Sequence, residues 1–400
     1  MVKPAIVTVG YNRPESMKRL LTSIQNATFK YTDIPLIISI DESELSDEVE
    51  KVAKEFYWKY GTKEIRRFPN RQGLRRHIIQ CGDYSEKYGA VIILEDDLVV
   101  AEDFYSYVCT AHEFYSDNAL ICGVSLYSYH SNVFTRFTFS PTPSMYDVYL
   151  GDMIVTWGQS WTSHQWLRFK QWYIENEDKL ESVNTSIPRD ISRWTRSWGR
   201  YYAYYMAKYH LSYIFPYVAR STCFSDFGEH NKTLIPLTFV QVPLMVGNPE
   251  NYRFGLYEKL VHYDSFYERV LNDGHCIAGI PGNEICLDIN NMKTCSEDKN
   301  YVITNSKLPH ERIKSFGLTL KPAYQNALKD IPGNQLHLYK LSSTNELIRP
   351  WKSKRLKYKA NYLRLKYEFY DASWRVLIYY TPIEFFNRIR EFIRKRFTRR

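Results

Sequence analysis

The stretch Ala-Val-Ile-Ile-Leu-Glu-Asp-Asp-Leu at residues 90–98 decides how the rest of the chain is interpreted. Its apolar run is short enough for a buried strand, and three acids, Glu95, Asp96 and Asp97, follow it directly. Adjacent carboxylates repel one another when they are partly buried, whereas a hard divalent cation takes carboxylate oxygens and can bridge to phosphates. Because open α/β sheets bind ligands at the carboxyl ends of their strands, the stretch predicts a metal-dependent site for a phosphorylated donor. An acidic surface turn is the alternative that the stretch alone leaves open.

The first 130 residues alternate strand and helix patterns, which predicts a doubly wound α/β sheet. Strands are expected at Ala5–Val9, Pro35–Ile40, Glu64–Phe68, 90–95 and Ala119–Tyr127. Helices are expected from Pro14 onward, over Ser46–Tyr60, from the loop at 69–74 to Lys87, and over Asp103–Ser116. Polar residues in the turns after these strands are therefore candidates for ligand binding.

Composition divides the chain into four regions. Residues 1–130 form the α/β half, 131–270 an aromatic-rich half, 271–348 a small β-rich appendage, and 349–400 a basic tail. The tail carries 16 Lys and Arg against four Asp and Glu, a net charge of +12. The other 348 residues sum to −3, so the net charge of +9 for the whole chain comes from the tail.

Apolar side chains in the tail recur at helical spacing, with Arg and Lys between them. They are Phe385, Phe386, Ile389, Phe392, Ile393 and Phe397. This pattern predicts a basic amphipathic helix that lies on an anionic membrane surface. Nucleic-acid binding is a weaker alternative because no DNA- or RNA-binding motif accompanies the basic residues, and we expect no nucleic-acid partner. A solvated helical tail is the third interpretation.

Cysteine usage and hydropathy bear on location. The seven cysteines form no CxxC pair and no zinc spacing, which favours free thiols in a reducing compartment. No signal-peptide pattern and no run of about 18 apolar residues occurs in the sequence. We therefore expect a cytoplasmic protein, peripheral at the inner face of the cell membrane.

Basic and acidic residues follow the first strands of the predicted sheet. Arg13, after the first strand, could pair with a phosphate or hold a base-binding loop. Asp41, after the second, could accept hydrogen bonds from a uracil or a ribose. A basic group precedes the acidic strand and either lines the diphosphate or forms a solvated helix face. Its members are Arg71, Arg75, Arg76 and His77.

Three segments together resemble a known family. They are Val-Thr-Val-Gly-Tyr-Asn-Arg at 7–13, Ile-Ser-Ile-Asp-Glu-Ser at 38–43 and Ile-Ile-Leu-Glu-Asp-Asp-Leu-Val-Val-Ala-Glu-Asp-Phe at 92–104. In this order they resemble the nucleotide-sugar glycosyltransferases of the GT-A fold. The resemblance is to the Golgi N-acetylglucosaminyltransferase type and to bacterial family-2-like transferases of surface polysaccharide synthesis. It covers residues 4–130 and continues more weakly to about residue 230.

The resemblance implies a role for each matching residue. The matches are Gly10 and Arg13 beside the nucleotide, Asp41 at the uracil, Glu95 facing the donor sugar, Asp96 at the ribose or sugar, and Asp97 at the metal. The implied metal is Mn²⁺ or Mg²⁺, which would neutralise the charge developing on the diphosphate leaving group. Arg75 is the member of the basic group that we assign to the diphosphate.

The catalytic base is less clearly matched. An inverting transfer, which the resemblance implies, needs a carboxylate that accepts the proton of the acceptor hydroxyl. By spacing, the family's base falls on Gly199, which has no side chain to serve. Asp190 upstream, and Asp226 and Glu229 downstream, are the candidates that remain.

The expected function is the transfer of a sugar from a nucleotide-diphosphate donor, most simply a UDP-sugar, to a lipid-linked glycan. Trp157, Trp161 and Trp166 in the aromatic-rich half either stack on the acceptor or belong to the core. Two other classes stay open. A sugar nucleotidyltransferase would use a similar sheet but a more Gly-rich first turn, and a non-catalytic subunit would bind glycan or nucleotide-sugar without turnover.

Overall fold

The computed structural model describes residues 2–180, 185–226, 238–294, 296, 299–341 and 347, and residues 382, 385, 386, 389 and 390 of the tail. The chain divides into two compact units, residues 1–349 and residues 350–400. Each unit is described by itself.

The first unit alternates strands and helices through its amino-terminal half and becomes less regular afterwards. The strands are β1 (Ala5–Gly10), β2 (Leu36–Ile40), β3 (Lys63–Arg67), β4 (Ala90–Glu95), β5 (Leu98–Val100), β6 (Ile121–Ser125), β7 (Val148–Gly151), β8 (Gln159–Thr162), β9 (Ser212–Pro216), β10 (Ser221–Cys223), β11 (His262–Tyr263), β12 (Cys276–Ile277), β13 (Ile280–Pro281), β14 (Ile285–Leu287), β15 (Tyr301–Thr304), β16 (Glu311–Phe316) and β17 (Leu336–Lys340). The helices are α1 (Pro14–Gln25), α2 (Ser46–Glu55), α3 (Leu74–Gly82), α4 (Tyr84–Tyr88), α5 (Phe104–Phe114), α6 (Ser163–Asn176), α7 (Arg189–Ser192), α8 (Trp198–Tyr209) and α9 (Gln325–Leu328).

Nine strands form one mixed sheet in the order β11-β7-β9-β6-β8-β4-β1-β2-β3. The strands β3, β2, β1 and β4 are parallel, and β8 adds to β4 in the antiparallel direction. The register sets Gly10 opposite Ile40 and Val9 opposite Glu95, so the turns after β1, β2 and β4 lie at one edge of the sheet. The predicted doubly wound α/β fold of the GT-A type is confirmed.

The helices cover both faces of this sheet. The apolar stripe of α1, Met17, Leu20, Leu21 and Ile24, is buried with α2 and α5 on one face. On the other face Trp161 and Trp166 are fully buried beneath α3, α6 and α8. The core interpretation of these two tryptophans is therefore correct, whereas Trp157 is only half-buried.

One predicted boundary is wrong for a physical reason. The helix expected over Ser46–Tyr60 ends at Glu55, and Phe56 is already extended, with a ψ of 124°. The following segment turns inward instead, because the Trp58 indole N–H donates to the carbonyl of Ile34 at 2.8 Å and its ring contacts Phe29 edge-on. Burial of an aromatic side chain outweighs one further turn of helix here.

The region 271–348 contains a four-stranded sheet in the order β14-β15-β17-β16. In the second unit the five described residues are helical and exposed, with Phe385 and Phe386 in edge-on contact. Among the described residues, no helix is long and apolar enough to cross a membrane. Six of the seven cysteines are described and all six are free thiols, of which only Cys276 is exposed.

Candidate active site

The three acids lie in the tight turn between β4 and β5. β4 ends at Glu95, and the N–H of Asp96 donates to the carbonyl of Val9 at 3.1 Å, which continues the pairing of β4 with β1. Asp97 completes the turn, and β5 begins at the next residue. The acids therefore lie at the carboxyl edge of the parallel strands, where an α/β sheet binds its ligand.

Arg13 is the cation that faces these acids. Its guanidinium pairs with Asp96 through Nη2, and Nη1 lies 3.2 Å from Oδ2 of Asp97. Arg13 directly precedes the proline that begins α1, so it extends from the turn after β1. Burial alone would lower the pKa of Arg13, but the charges of Asp96 and Asp97 reverse this and raise it above its usual range. One guanidinium thus faces three carboxyl groups.

The excess of negative charge affects the carboxyl groups themselves. Burial, reinforced by the charge of Asp97, raises the pKa of Glu95 to about 8, although Arg13 opposes the shift. Burial also raises the pKa of Asp96 to about 6, where Arg13 opposes it and Asp97 adds to it. A second cation beside these groups would favour their ionised forms.

A divalent cation fits the oxygen atoms that the cluster leaves unsatisfied. Oδ2 of Asp96 is buried and has no hydrogen-bond partner among the residues that the structure describes. The Asp97 side chain is 17% exposed and is reachable from solvent. Carboxylate oxygens are ligands that Mg²⁺ and Mn²⁺ prefer. Over the described part of the chain, no three His, Cys, Asp or Glu side chains form a group arranged to hold a metal ion.

Asp41 holds the loop that borders this edge. Its carboxylate accepts hydrogen bonds from three backbone N–H groups, those of Glu42 at 3.0 Å, Gln72 at 2.7 Å and Gly73 at 2.8 Å. Gly73 has a φ of 74°, which favours glycine. In this structure Asp41 stabilises the loop that contains Gln72 and Gly73. The contact of Asp41 with a uracil stays a prediction.

Gly10 and Arg75 have different surroundings. A Cβ on Gly10 would lie 2.6 Å from Cε of Met17, the flexible end of a side chain of α1. The Arg75 guanidinium donates to the Tyr201 hydroxyl at 2.8 Å and lies 3.7 to 3.8 Å from the carboxylates of Asp178 and Glu177. These contacts tie α3 to α8, and the assignment of Arg75 to the diphosphate stays a prediction.

A segment that is distant in sequence from the three acids, β10 and the residues after it, lies against the acidic turn. β10 pairs antiparallel with β5, and just beyond it the N–H of Phe224 donates to the carbonyl of Asp97 at 2.9 Å. Asp226 accepts a hydrogen bond from Ser16 Oγ at 2.7 Å and pairs with Arg19 on α1. The Phe224 ring lies 4.0 Å from the Arg19 guanidinium carbon. Asp226 is therefore held beside the acidic turn.

The other candidate bases are placed differently. Asp190 lies in α7, where its carboxylate is 3.3 Å from Arg193 and its side chain is 56% exposed. Gly199 is buried in the first turn of α8, and its N–H donates to Ser197 Oγ at 3.1 Å. Glu229 lies outside the described residues. Of the three candidate acids, Asp226 is the one that the described structure brings to the acidic cluster.

Comparison with known families agrees with this geometry. Residues 5–171 match the family model described as glycosyl transferase family 2. The resemblance to a GT-A nucleotide-sugar glycosyltransferase is confirmed. The glycosyltransferase match begins with β1, ends within α6 and spans less than half of the 400 residues. It includes the three acids, Arg13 and Asp41, but it stops before Asp190 and Asp226.

Solved structures of several proteins are similar over part of the chain. GalNAc-T7 in complex with UDP, GalNAc and Mn²⁺ has a TM-score of 0.38 at 11% identity, covering 54% of this chain and 43% of that one. Residues 1–349 of TarS from S. aureus have a TM-score of 0.32 at 12% identity, covering 56% and 60%. A cytidylyltransferase from Leptospira borgpetersenii serovar Hardjo-bovis has a TM-score of 0.28 at 8% identity, covering 43% and 65%. At these scores none of the three bears on function.

This chain therefore spans 43 to 65% of the length of those three proteins. No protein with a curated description matches the sequence significantly. The glycosyltransferase assignment depends on the family match and on the placement of the acids.

Proposed function

We propose that this glycosyltransferase moves a sugar, with inversion, from a UDP-sugar to a lipid-linked glycan acceptor of surface polysaccharide synthesis, with the help of Mn²⁺ or Mg²⁺. The observation that carries the proposal is the acidic turn between β4 and β5, where Glu95, Asp96 and Asp97 face the guanidinium of Arg13, the one cation beside them among the described residues. A buried cluster with more negative than positive charge is suited to a cation and a phosphorylated ligand.

Asp96 and Asp97 would hold the metal. Oδ2 of Asp96 has no hydrogen bond among the described residues, and the Asp97 side chain is accessible to solvent. When bound, the metal would neutralise negative charge on the nucleoside diphosphate that leaves. Arg13 would then turn from the aspartates to the diphosphate, with which a guanidinium pairs in a bidentate manner. Asp41 would keep the neighbouring loop in place for the nucleotide.

For the base, what supports Asp226 is its position next to the acidic turn and its tie to α1. A carboxylate there would take the proton of the acceptor hydroxyl. The oxygen of that hydroxyl would at the same time bond to the anomeric carbon of the donor sugar, while the bond from the anomeric carbon to the diphosphate breaks. D226N is expected to lower kcat by at least about 100-fold with little change in donor KM. The matched variant R19M removes the charged partner of Asp226, keeps the hydrogen bond from Ser16 and should lower kcat only a few-fold. Equal losses of kcat in the two variants would make Asp226 a tether rather than a base.

The acceptor class is inferred from the tail. A basic amphipathic segment with net charge +12 would bind anionic lipid, where lipid-linked acceptors are found. Removal of residues 350–400 should release the protein from vesicles that contain anionic lipid in a sedimentation assay. If the shortened protein stays bound to these vesicles, the tail is not the anchor.

One observation favours a second candidate, a non-catalytic subunit that binds nucleotide-sugar. Gly199 occupies the position at which the family resemblance places the base, and a Cβ there would meet only ordinary or slightly tight contacts, the nearest at 3.3 Å. The position therefore has room for a Cβ, and the sequence supplies no side chain there. Such a subunit would bind the donor but would neither transfer nor hydrolyse it.

A thermal-shift panel of UDP-, GDP-, CMP- and dTDP-sugars, each with and without Mn²⁺, tests the proposal. We expect a rise in Tm with UDP-sugars that requires Mn²⁺. A shift with another nucleotide would change the donor class, and the absence of any shift would contradict the proposed function. Release of UDP during incubation with the donor separates an enzyme from a binding subunit.

A further inference from the structure

Gln159 is a buried polar side chain whose carboxamide has no hydrogen-bond partner among the described residues. It is the first residue of β8 and is 0% exposed. Neither Oε1 nor Nε2 of its carboxamide has a hydrogen bond within the described part of the chain. Buried polar groups in folded proteins are almost always paired, so an amide that leaves both of its groups unpaired calls for a physical explanation.

The register places this amide near the acidic cluster. β8 pairs with β4 so that Gln159 lies opposite Ile93. Glu95 is two residues further along β4, and alternate residues of a strand point to the same face. Diagonal neighbours on adjacent strands are about 7–8 Å apart, within reach of long side chains. Gln159 and Glu95 therefore share one face of the sheet at its carboxyl edge.

The next residue of β8 shows how the fold treats a polar group with a structural role. The Ser160 hydroxyl lies 2.7 Å from the carbonyl of Val91 and 2.7 Å from Nε2 of His112, on the opposite face of the sheet. Both residues are fully buried, but only the Ser160 hydroxyl has hydrogen-bond partners among the residues that the structure describes. The two residues lie on opposite faces of the sheet, and Gln159 is on the face that carries Glu95.

We propose that the carboxamide of Gln159 hydrogen-bonds a polar substituent of the donor sugar and thereby helps to select that sugar. This inference rests on the proposed function. A carboxamide offers both a donor and an acceptor, which suits a hydroxyl or an acetamido group on the sugar ring. Because Gln159 is fully covered in this structure, the sugar would reach it only after the side chains that cover it have moved.

The variant Q159L tests the proposal because leucine keeps the volume roughly and removes both polar groups. Binding of UDP and of UDP-hexoses and UDP-N-acetylhexosamines is measured by calorimetry with Mn²⁺, together with kcat/KM for the preferred donor. We expect a loss of at least about tenfold with the preferred UDP-sugar, unchanged binding of UDP and a Tm that does not fall. The matched control S160A alters the opposite face and should change UDP and UDP-sugar binding in equal proportion.

Three results would overturn the inference. The first is that Q159L keeps the affinity and the kcat/KM of the wild type for the preferred UDP-sugar. The carboxamide of Gln159 would then form its hydrogen bonds with protein or water and not with the sugar. Equal weakening of UDP and UDP-sugar would mean that the variant disturbs the site as a whole. If the wild-type protein binds UDP but no UDP-sugar, the proposed function fails together with this inference; if it binds both and Q159L matches it, only the inference fails.

Discussion

Two arginine–carboxylate clusters lie at opposite ends of the ribbon formed by β5 and β10, and they differ in charge balance. At one end Arg13 faces Glu95, Asp96 and Asp97. At the other end, after β5 and before β10, Arg220 pairs with Asp103 at 3.1 Å, with exposed fractions of only 2% and 0%.

The second cluster is neutral and closely covered. The Tyr107 ring lies 4.8 Å from the Arg220 guanidinium carbon, and the Tyr252 hydroxyl donates to Asp103 at 3.2 Å. A one-to-one pair of this kind fixes the ribbon to the body of the protein. Among the described residues both clusters contain a buried carboxylate oxygen without a hydrogen bond, Oδ2 of Asp96 and Oδ1 of Asp103, so the difference between them is charge. The first cluster has more carboxyl groups than cations there, and surplus negative charge is what a site for a cation and its phosphorylated ligand requires. The same residue types therefore serve structure at one end of the ribbon and, under the proposed function, ligand binding at the other.

The largest effect is expected when the neutral cluster is broken. R220M should lower the free energy of unfolding by about 3–5 kcal/mol, because it leaves the buried Asp103 without its counter-charge. Chemical denaturation measures this loss. The control R253M removes the exposed partner of Asp147 and should not change stability measurably. If R220M is as mild as R253M, the pair at the far end of the ribbon is not structural.

A smaller effect is expected at the acidic cluster. R13M removes the guanidinium from Asp96 and Asp97 and should lower the free energy of unfolding by about 1.5–3 kcal/mol in the presence of a chelator. Because a metal would replace the missing positive charge, Mn²⁺ should restore part of this loss in R13M and none of the loss in R220M. Equal responses of the two variants to Mn²⁺ would remove the distinction between the clusters.

An effect that is small near neutral pH concerns a buried group outside both clusters. Burial lowers the pKa of His112 in the folded protein to about 4, whereas an unperturbed histidine has a pKa of about 6.5. Between these two pH values the unfolded chain therefore binds a proton at His112 more readily than the folded protein does. The free energy of unfolding should therefore fall as the pH drops through this window, by at most about 1.4 kcal/mol per pH unit for one group.

The variant H112N should reduce that slope, and part of the slope should remain because burial also lowers the pKa of His77 to about 4. Denaturation curves at several pH values give the slope directly. An unchanged slope in H112N would show that His112 is not a source of acid sensitivity.

Local sequence was sufficient for the parallel half of the sheet. The apolar run before Glu95 and the proline after Arg13 are local signals, and both elements begin or end where these signals place them. The helix after Ser46 was overestimated because Trp58 pairs with Ile34, a tertiary contact that helical periodicity does not reveal.

The site was predictable to the extent that it is local. The three acids are consecutive, so one strand brings them to the edge of the sheet. Three other contacts depend on strand pairing between residues that are 66 to 127 positions apart in the sequence. They are the pairing of the acids with Arg13, the approach of Phe224 to Asp97 and the position of Gln159 opposite Ile93. Such pairing is set by the topology of the sheet, and no residue pattern near Gln159 or Phe224 predicts it.

The central claim is that the unbalanced acidic turn binds a divalent cation together with a nucleoside diphosphate. Calorimetric titration of UDP into the wild-type protein, D97N and the control D147N, with Mn²⁺ and with a chelator, tests this claim most directly. We expect Mn²⁺ to strengthen UDP binding in the wild type and in D147N, and this gain to fall by about 100-fold in D97N. An equal dependence on Mn²⁺ in D97N and in the wild type would contradict the assignment of the site.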